Sequence, residues 1–213
     1  GHLSVVAIGL AAARPAARAG GRICPGARGG LSAAERGQNV DFTFFTGVTS
    51  DIMHKLQRHE LDIVLSSKPA ETYRFESIPV KKQDLVLIVP PEHRLAGRHT
   101  AELSEVLGDP FIQYAHGSGL RHVINDMFAQ IDASPNVAYE IQEDQVIAGL
   151  VAQGFGVSIV PYMEMLLRLN VKILQISRPV PNRIIYLVTD PAMTLSPAAA
   201  DFKRFVLSQS ELA

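Results

Sequence analysis

Residues 142–161 read QEDQVIAGLVAQGFGVSIVP, and the local signals in this stretch agree. Val146, Ile147, Leu150 and Val151 recur at helical spacing, and Glu143 and Asp144 fall in the first turn, where negative charge suits the helix dipole. The spacing therefore predicts a helix with one dry side. Gly154 follows the last periodic residue, where a left-handed cap is needed, and a β-branched run from Val157 to Val160 is then stopped by Pro161. Val137–Ile141, just upstream, alternates as a strand does, so the unit reads as strand, helix, strand. Apolar residues on both faces of Gly156–Val160 fit a strand covered by helices on two sides, the habit of parallel sheets.

Composition narrows the class of molecule. At 213 residues and 47% hydrophobic, the chain can bury a core sufficient for one domain or two small lobes. A formal net charge of −1 leaves no general footprint for nucleic acid. Cys24 is the only cysteine, which excludes an internal disulfide and a cysteine-based metal site. No apolar run approaches the roughly 20 residues that span a bilayer, and no export leader opens the chain. These features predict a soluble cytoplasmic protein. A strand-like run begins at Leu3, so the chain reads as a fragment without its natural start.

The stretch AGLVAQGFGVSIVP, residues 148–161, resembles the segment that closes the second lobe in effector-binding domains of LysR-type transcriptional regulators. Further matches follow along the chain. Leu3–Gly9, LSVVAIG, is similar to the first strand of that domain. TGVTSDIMHKLQRHELDIVL, residues 46–65, resembles its second strand-to-helix turn, and PPEHRLAG, residues 90–97, resembles a loop of the second lobe. The resemblance fails at residues 11–37, AAARPAARAGGRICPGARGGLSAAERG, where the family has a long amphipathic helix. That block is rich in Ala, Arg and Gly and has almost no large apolar side chain to hold a helix on a sheet. A disordered insert, a divergent loop or a reading-frame error in GC-rich coding DNA each fits such a composition.

The resemblance implies an α/β, two-lobed periplasmic-binding-protein-like (type 2) fold with a hinge between lobes. Lobe I would take residues 1–84 and 190–213, and lobe II residues 85–189. It further implies a domain that binds a small anionic metabolite in the inter-lobe cleft and pairs with itself as a homodimer or tetramer. DNA would be bound only through an N-terminal winged helix-turn-helix absent from this chain. An extracytoplasmic solute-binding protein of the same fold is the alternative, and an enzyme on a related fold is a third reading.

Candidate contacts come from turns that open helices. Thr49 and Ser50 stand where a side chain would cap the helix holding Ile52, Met53 and Leu56, leaving backbone N–H groups for a carboxylate. Most Ser and Thr at such positions are caps and nothing more. His116, Gly117 and Ser118 form a second turn, before a helix whose dry face is Val123, Ile124, Met127, Phe128 and Ile131. Arg121 or His116 is a possible charge partner there, although Arg121 also reads as an ordinary exposed first-turn residue. The Gly154, Phe155, Gly156 turn and the loop opening at Leu10 complete the set.

Catalytic patterns are missing. Gly156-Val157-Ser158 starts like a nucleophile elbow without its closing glycine, and Ser158 lies inside a strand. The histidine pairs 54/59 and 116/122 lack zinc spacing, His93 reads as a loop residue with local hydrogen bonds, and dinucleotide and P-loop signatures are absent. No enzyme activity, metal or cofactor is expected.

Overall fold

A computed structural model describes residues 6–11, 41–210 and 212. The chain divides into two compact units, one running Lys82–Arg183 and the other drawn from residues up to Lys81 and from Ile184 onward. The atypical block of the sequence from residue 12 through 37 lies outside the described residues.

In the Lys82–Arg183 unit, β5 (Leu85–Val89) is buried at every position. It lies between β9 (Ser158–Pro161) and β10 (Lys172–Arg178), antiparallel to both, and β6 (Thr100–Glu102) adds on parallel to β10. A parallel pair, β7 (Phe111–Tyr114) and β8 (Val137–Ile141), is joined by α2 (Gly119–Ala129). β8 then leads through α3 (Asp144–Ala152) to β9. The strand, helix, strand unit read from sequence is therefore present. The parallel neighbour expected for its last strand is supplied only at Val157, which bridges to Phe111, while Ser158–Pro161 pair antiparallel with β5. Burial on both faces does not by itself fix strand direction.

One large core fills this unit, with Leu87, Ile88, Phe111, Phe128, Ile147, Val151, Ile159 and Leu174 among its members. Each side chain of this kind contributes roughly 1.5–3 kcal/mol when fully buried. On α3 the dry face is Ile147, Ala148 and Val151 together with Asp144, whereas Val146, expected inside, is exposed. The true stripe runs through positions i, i+3, i+4 and i+7 counted from Asp144, so a polar residue occupies one core-facing position.

In the other unit, β1 (Val6–Ala11) is antiparallel to β2 (Asp41–Thr46) and to β3 (Ile63–Ser66). β11 (Arg183–Thr189) and β4 (Glu76–Gln83) complete the sheet in the order β2-β1-β3-β11-β4. Alternation along the central strands assigns the two faces. Val64 and Val188 pack with Ile52, Met53 and Leu56 of α1 (Thr49–Gln57), and Ile63, Ile185 and Leu187 pack with Ala199 and Phe202 of α4 (Pro197–Ser208). Ser196 caps α4 by accepting from the Ala199 N–H at 3.2 Å, with Pro197 at its first position, a pairing that suits a helix start. On α4, Phe205 is exposed.

Leu103–Val106 and Glu164–Arg168 form short 3-10 helices. Among the described residues no helix is long and apolar enough to cross a membrane.

Candidate functional site

The turn from α3 into β9 is fixed by backbone geometry. The Gly154 N–H donates to the Val151 carbonyl at 3.0 Å and the Phe155 N–H to the Leu150 carbonyl at 3.1 Å, the double bond pattern of a Schellman cap. Gly154 has φ +79°, a conformation that side chains disfavour. Gly156 is required for a different reason: a Cβ there would lie 2.3 Å from the Pro110 carbonyl oxygen. This close approach lets the Val157 N–H reach that carbonyl at 2.9 Å. Two of the three candidate residues in the turn thus have their N–H groups engaged within the chain. The Phe155 ring turns toward Tyr139, centroids 5.8 Å apart.

The second corner of this unit lies between β7 and α2. Ser118 caps α2, its hydroxyl accepting from the Leu120 N–H at 3.3 Å. Arg121, expected to be exposed or free for a ligand, is neither. Its Nη1 donates to the Tyr114 carbonyl at 2.6 Å and lies 2.8 Å from Glu140 Oε1, which ties the start of α2 to β7 and β8. His116 is exposed, with Nε2 3.6 Å from the same Glu140 oxygen.

Beneath this corner is a buried polar group that sequence reasoning missed. The Tyr114 hydroxyl donates to Asp144 Oδ1 at 2.5 Å, and both side chains are buried. Burial and the neighbouring Asp144 raise the Tyr114 phenol well above its ordinary value, so it remains a neutral donor. Arg183 is the first residue of β11 and is only 3% exposed. Among the described residues its Nε and Nη1 have no hydrogen-bond partner. Burial pulls its pKa down to about 10, against the opposing pull of Tyr114 and Asp144, so it is charged at neutral pH. An arginine after Pro-Asn carries no periodic signal that would mark it as buried.

In the other unit, the expected cap at Thr49 or Ser50 is displaced. The N-cap of α1 is Val48, which has no side chain able to cap; Thr49 is the first helical residue and is buried, and Ser50 Oγ lies 3.5 Å from Asp51 Oδ1. Leu10 is also shifted: it belongs to β1, paired with Phe42, and not to a loop after the strand.

The remaining candidates settle into structural roles. Ser158 is fully buried and donates to the Ile112 carbonyl at 2.7 Å, so its oxygen is no nucleophile. His93 makes the local contacts expected of it, Nδ1 accepting from the Leu95 N–H at 3.3 Å and Nε2 lying 3.1 Å from Asp109 Oδ2.

The profile of the LysR substrate binding domain matches residues 32–211. This chain belongs to that family. An HTH-type transcriptional regulator of Bacillus subtilis (strain 168), YybE, is 29% identical over 170 residues, covering 80% of this chain and 58% of the relative. The RuBisCO operon transcriptional regulator of Allochromatium vinosum is 27% identical over 162 residues, covering 75% and 54%. The chain thus spans a little over half the length of these relatives. Among solved structures, the effector binding domain of QuiR in complex with shikimate is 33% identical, with a TM-score of 0.76 over 78% of this chain and 80% of that one. The LysR-family member described here therefore has the periplasmic-binding-protein-like type 2 fold expected from its sequence. Its relatives are transcriptional regulators and neither enzymes nor solute-binding proteins.

Proposed function

We propose that this chain is the ligand-sensing part of a LysR-type transcriptional regulator, that it takes up a small anionic metabolite, and that its occupancy controls DNA binding by a helix-turn-helix segment elsewhere in the full protein. The observation that carries this reading is the 33% identity to a domain solved with shikimate, a carboxylate, together with the family match over residues 32–211. In the Lys82–Arg183 unit the proposed contacts are His116, Ser118 and the Gly154–Gly156 turn. Thr49, Ser50 and Leu10 of the other unit are proposed as separate contributors, each tested by its own variant. The start of α1 supports a role for Thr49 and Ser50, because the N-cap residue there is Val48, which supplies no side-chain acceptor of its own.

We also propose a cytoplasmic location and self-association as a homodimer, with a tetramer as the larger alternative. Val137, Tyr139 and Val146 are large apolar side chains exposed on or beside β8, a surface suited to pairing with a second copy. Sedimentation of the chain across a concentration series tests this, and a monomer at all concentrations refutes it. For sensing, a metabolite library containing charged and neutral compounds is screened by thermal unfolding of the chain, and each hit is added to the full regulator on its promoter DNA. The expected result is a ligand that raises the midpoint and alters the footprint; a library-wide absence of any shift overturns the reading.

A further inference from the structure

Arg183 carries a positive charge at a site where the residue is 3% exposed and two of its three guanidinium nitrogens, Nε and Nη1, have no hydrogen-bond partner among the described residues. Asp144 and Tyr114 are close enough to act on its charge. Leaving a buried guanidinium unpaired is costly, and replacing such a group by an apolar side chain is commonly neutral or stabilising. A buried donor without an acceptor calls for an explanation, and one that fits a sensor is that the acceptor arrives from solution.

We propose that Arg183 reads the charge of the effector by donating to the carboxylate of a small monocarboxylate. This rests on the sensing function proposed above. The neighbouring groups narrow the ligand class. Asp144 supplies one negative charge against the single positive charge of Arg183, and Tyr114 spends its only proton on Asp144. A planar guanidinium matches a carboxylate. A dianion such as phosphate would bring a second negative charge toward Asp144.

The experiment measures thermal unfolding of the chain with acetate, benzoate and shikimate, with acetamide, benzamide and methyl shikimate as neutral counterparts, and with inorganic phosphate. It is run on the wild type, R183M and R183K. At least one monocarboxylate is expected to raise the wild-type midpoint while its neutral counterpart does not. R183M should melt at or above the wild type without ligand and lose the response, with affinity down by about a hundredfold. R183K, which keeps the charge and loses the planar donor set, should bind about tenfold more weakly. A carboxylate response that survives in R183M, a response to phosphate equal to that for carboxylate, or a ligand-free R183M that melts well below the wild type overturns the assignment. A wild type that responds only to neutral compounds removes the role of Arg183 and leaves the sensing function standing. A wild type unmoved by every compound of the wider library removes both.

Discussion

The helix starts of the two units share a sequence signature and differ in how it is used. Both follow a strand and a glycine, with a hydroxyl residue next to the helix start. At α2 the hydroxyl of Ser118 is spent on the Leu120 N–H, and Arg121 binds the turn to β7 and β8. At α1 the capping position falls on Val48, one residue ahead of the hydroxyls, so the N-cap side chain offers the helix no acceptor. A helix start capped by its own N-cap side chain is a structural joint, and one whose N-cap residue cannot cap leaves more of its dipole to an incoming anion.

The largest effect expected from testing this contrast lies in the self-satisfied unit. Gly156→Ala forces a methyl group against the Pro110 carbonyl oxygen, 2.3 Å from its ideal position, and should lower unfolding free energy by about 3 kcal/mol. Denaturant midpoints of the two proteins measure it, and a loss no larger than that of an ordinary surface change would show that the turn yields easily. Tyr114→Phe removes the donor to buried Asp144 and should cost about 2 kcal/mol in the same assay.

Ser118→Ala should cost about 1 kcal/mol, and its mirror experiment, Val48→Ser, should add about 0.5 kcal/mol by giving α1 the cap it lacks. If the first substitution is silent or the second destabilises, the two starts are not the contrast described. Calorimetric melting of both variants decides the matter.

The smallest effect concerns pH. In the unit with the uncapped α1, polar wiring appears at α4, where Lys203 pairs with Glu76, which also accepts from Thr189 Oγ1 at 3.0 Å. Lys203, and then Thr189, hold the Glu76 carboxyl below its ordinary value near 4.5. A depressed carboxyl contributes stability that is complete above the unfolded value and is lost as pH falls through the folded one. The contribution is therefore whole at neutral pH and fades below about 4.5. Lys203→Met should flatten the acid limb of a stability-against-pH curve in that range and leave the neutral limb parallel to wild type.

Periodicity made much of the scaffold legible. The dry faces of α1 and α2, the cap at Ser196 and the left-handed Gly154 follow from spacing and side-chain chemistry within a few residues. Strand direction at β9 was not legible, because Ser158–Pro161 are apolar on both faces whichever neighbour they meet. The cap of α1 was misplaced by one residue: Thr49 and Ser50 are good capping residues, but the helix already begins at Thr49 with Val48 at its cap, while Ile52, Met53 and Leu56 pack with Val64 and Val188 as their spacing predicts. Capping preference is a weaker signal than apolar periodicity and does not fix the first residue of a helix. Arg183 escaped notice because the groups that act on its charge, Tyr114 and Asp144, are distant in sequence and brought near only by the fold.

The contact between position 156 and Pro110 also constrains anyone wishing to retune the proposed sensor. Randomising the 153–156 segment to seek new inducers is an obvious library, yet codon 156 should be held constant. Diversity placed there would be consumed by non-folding clones, and screening effort is better directed at the neighbouring position 155, whose ring already faces outward.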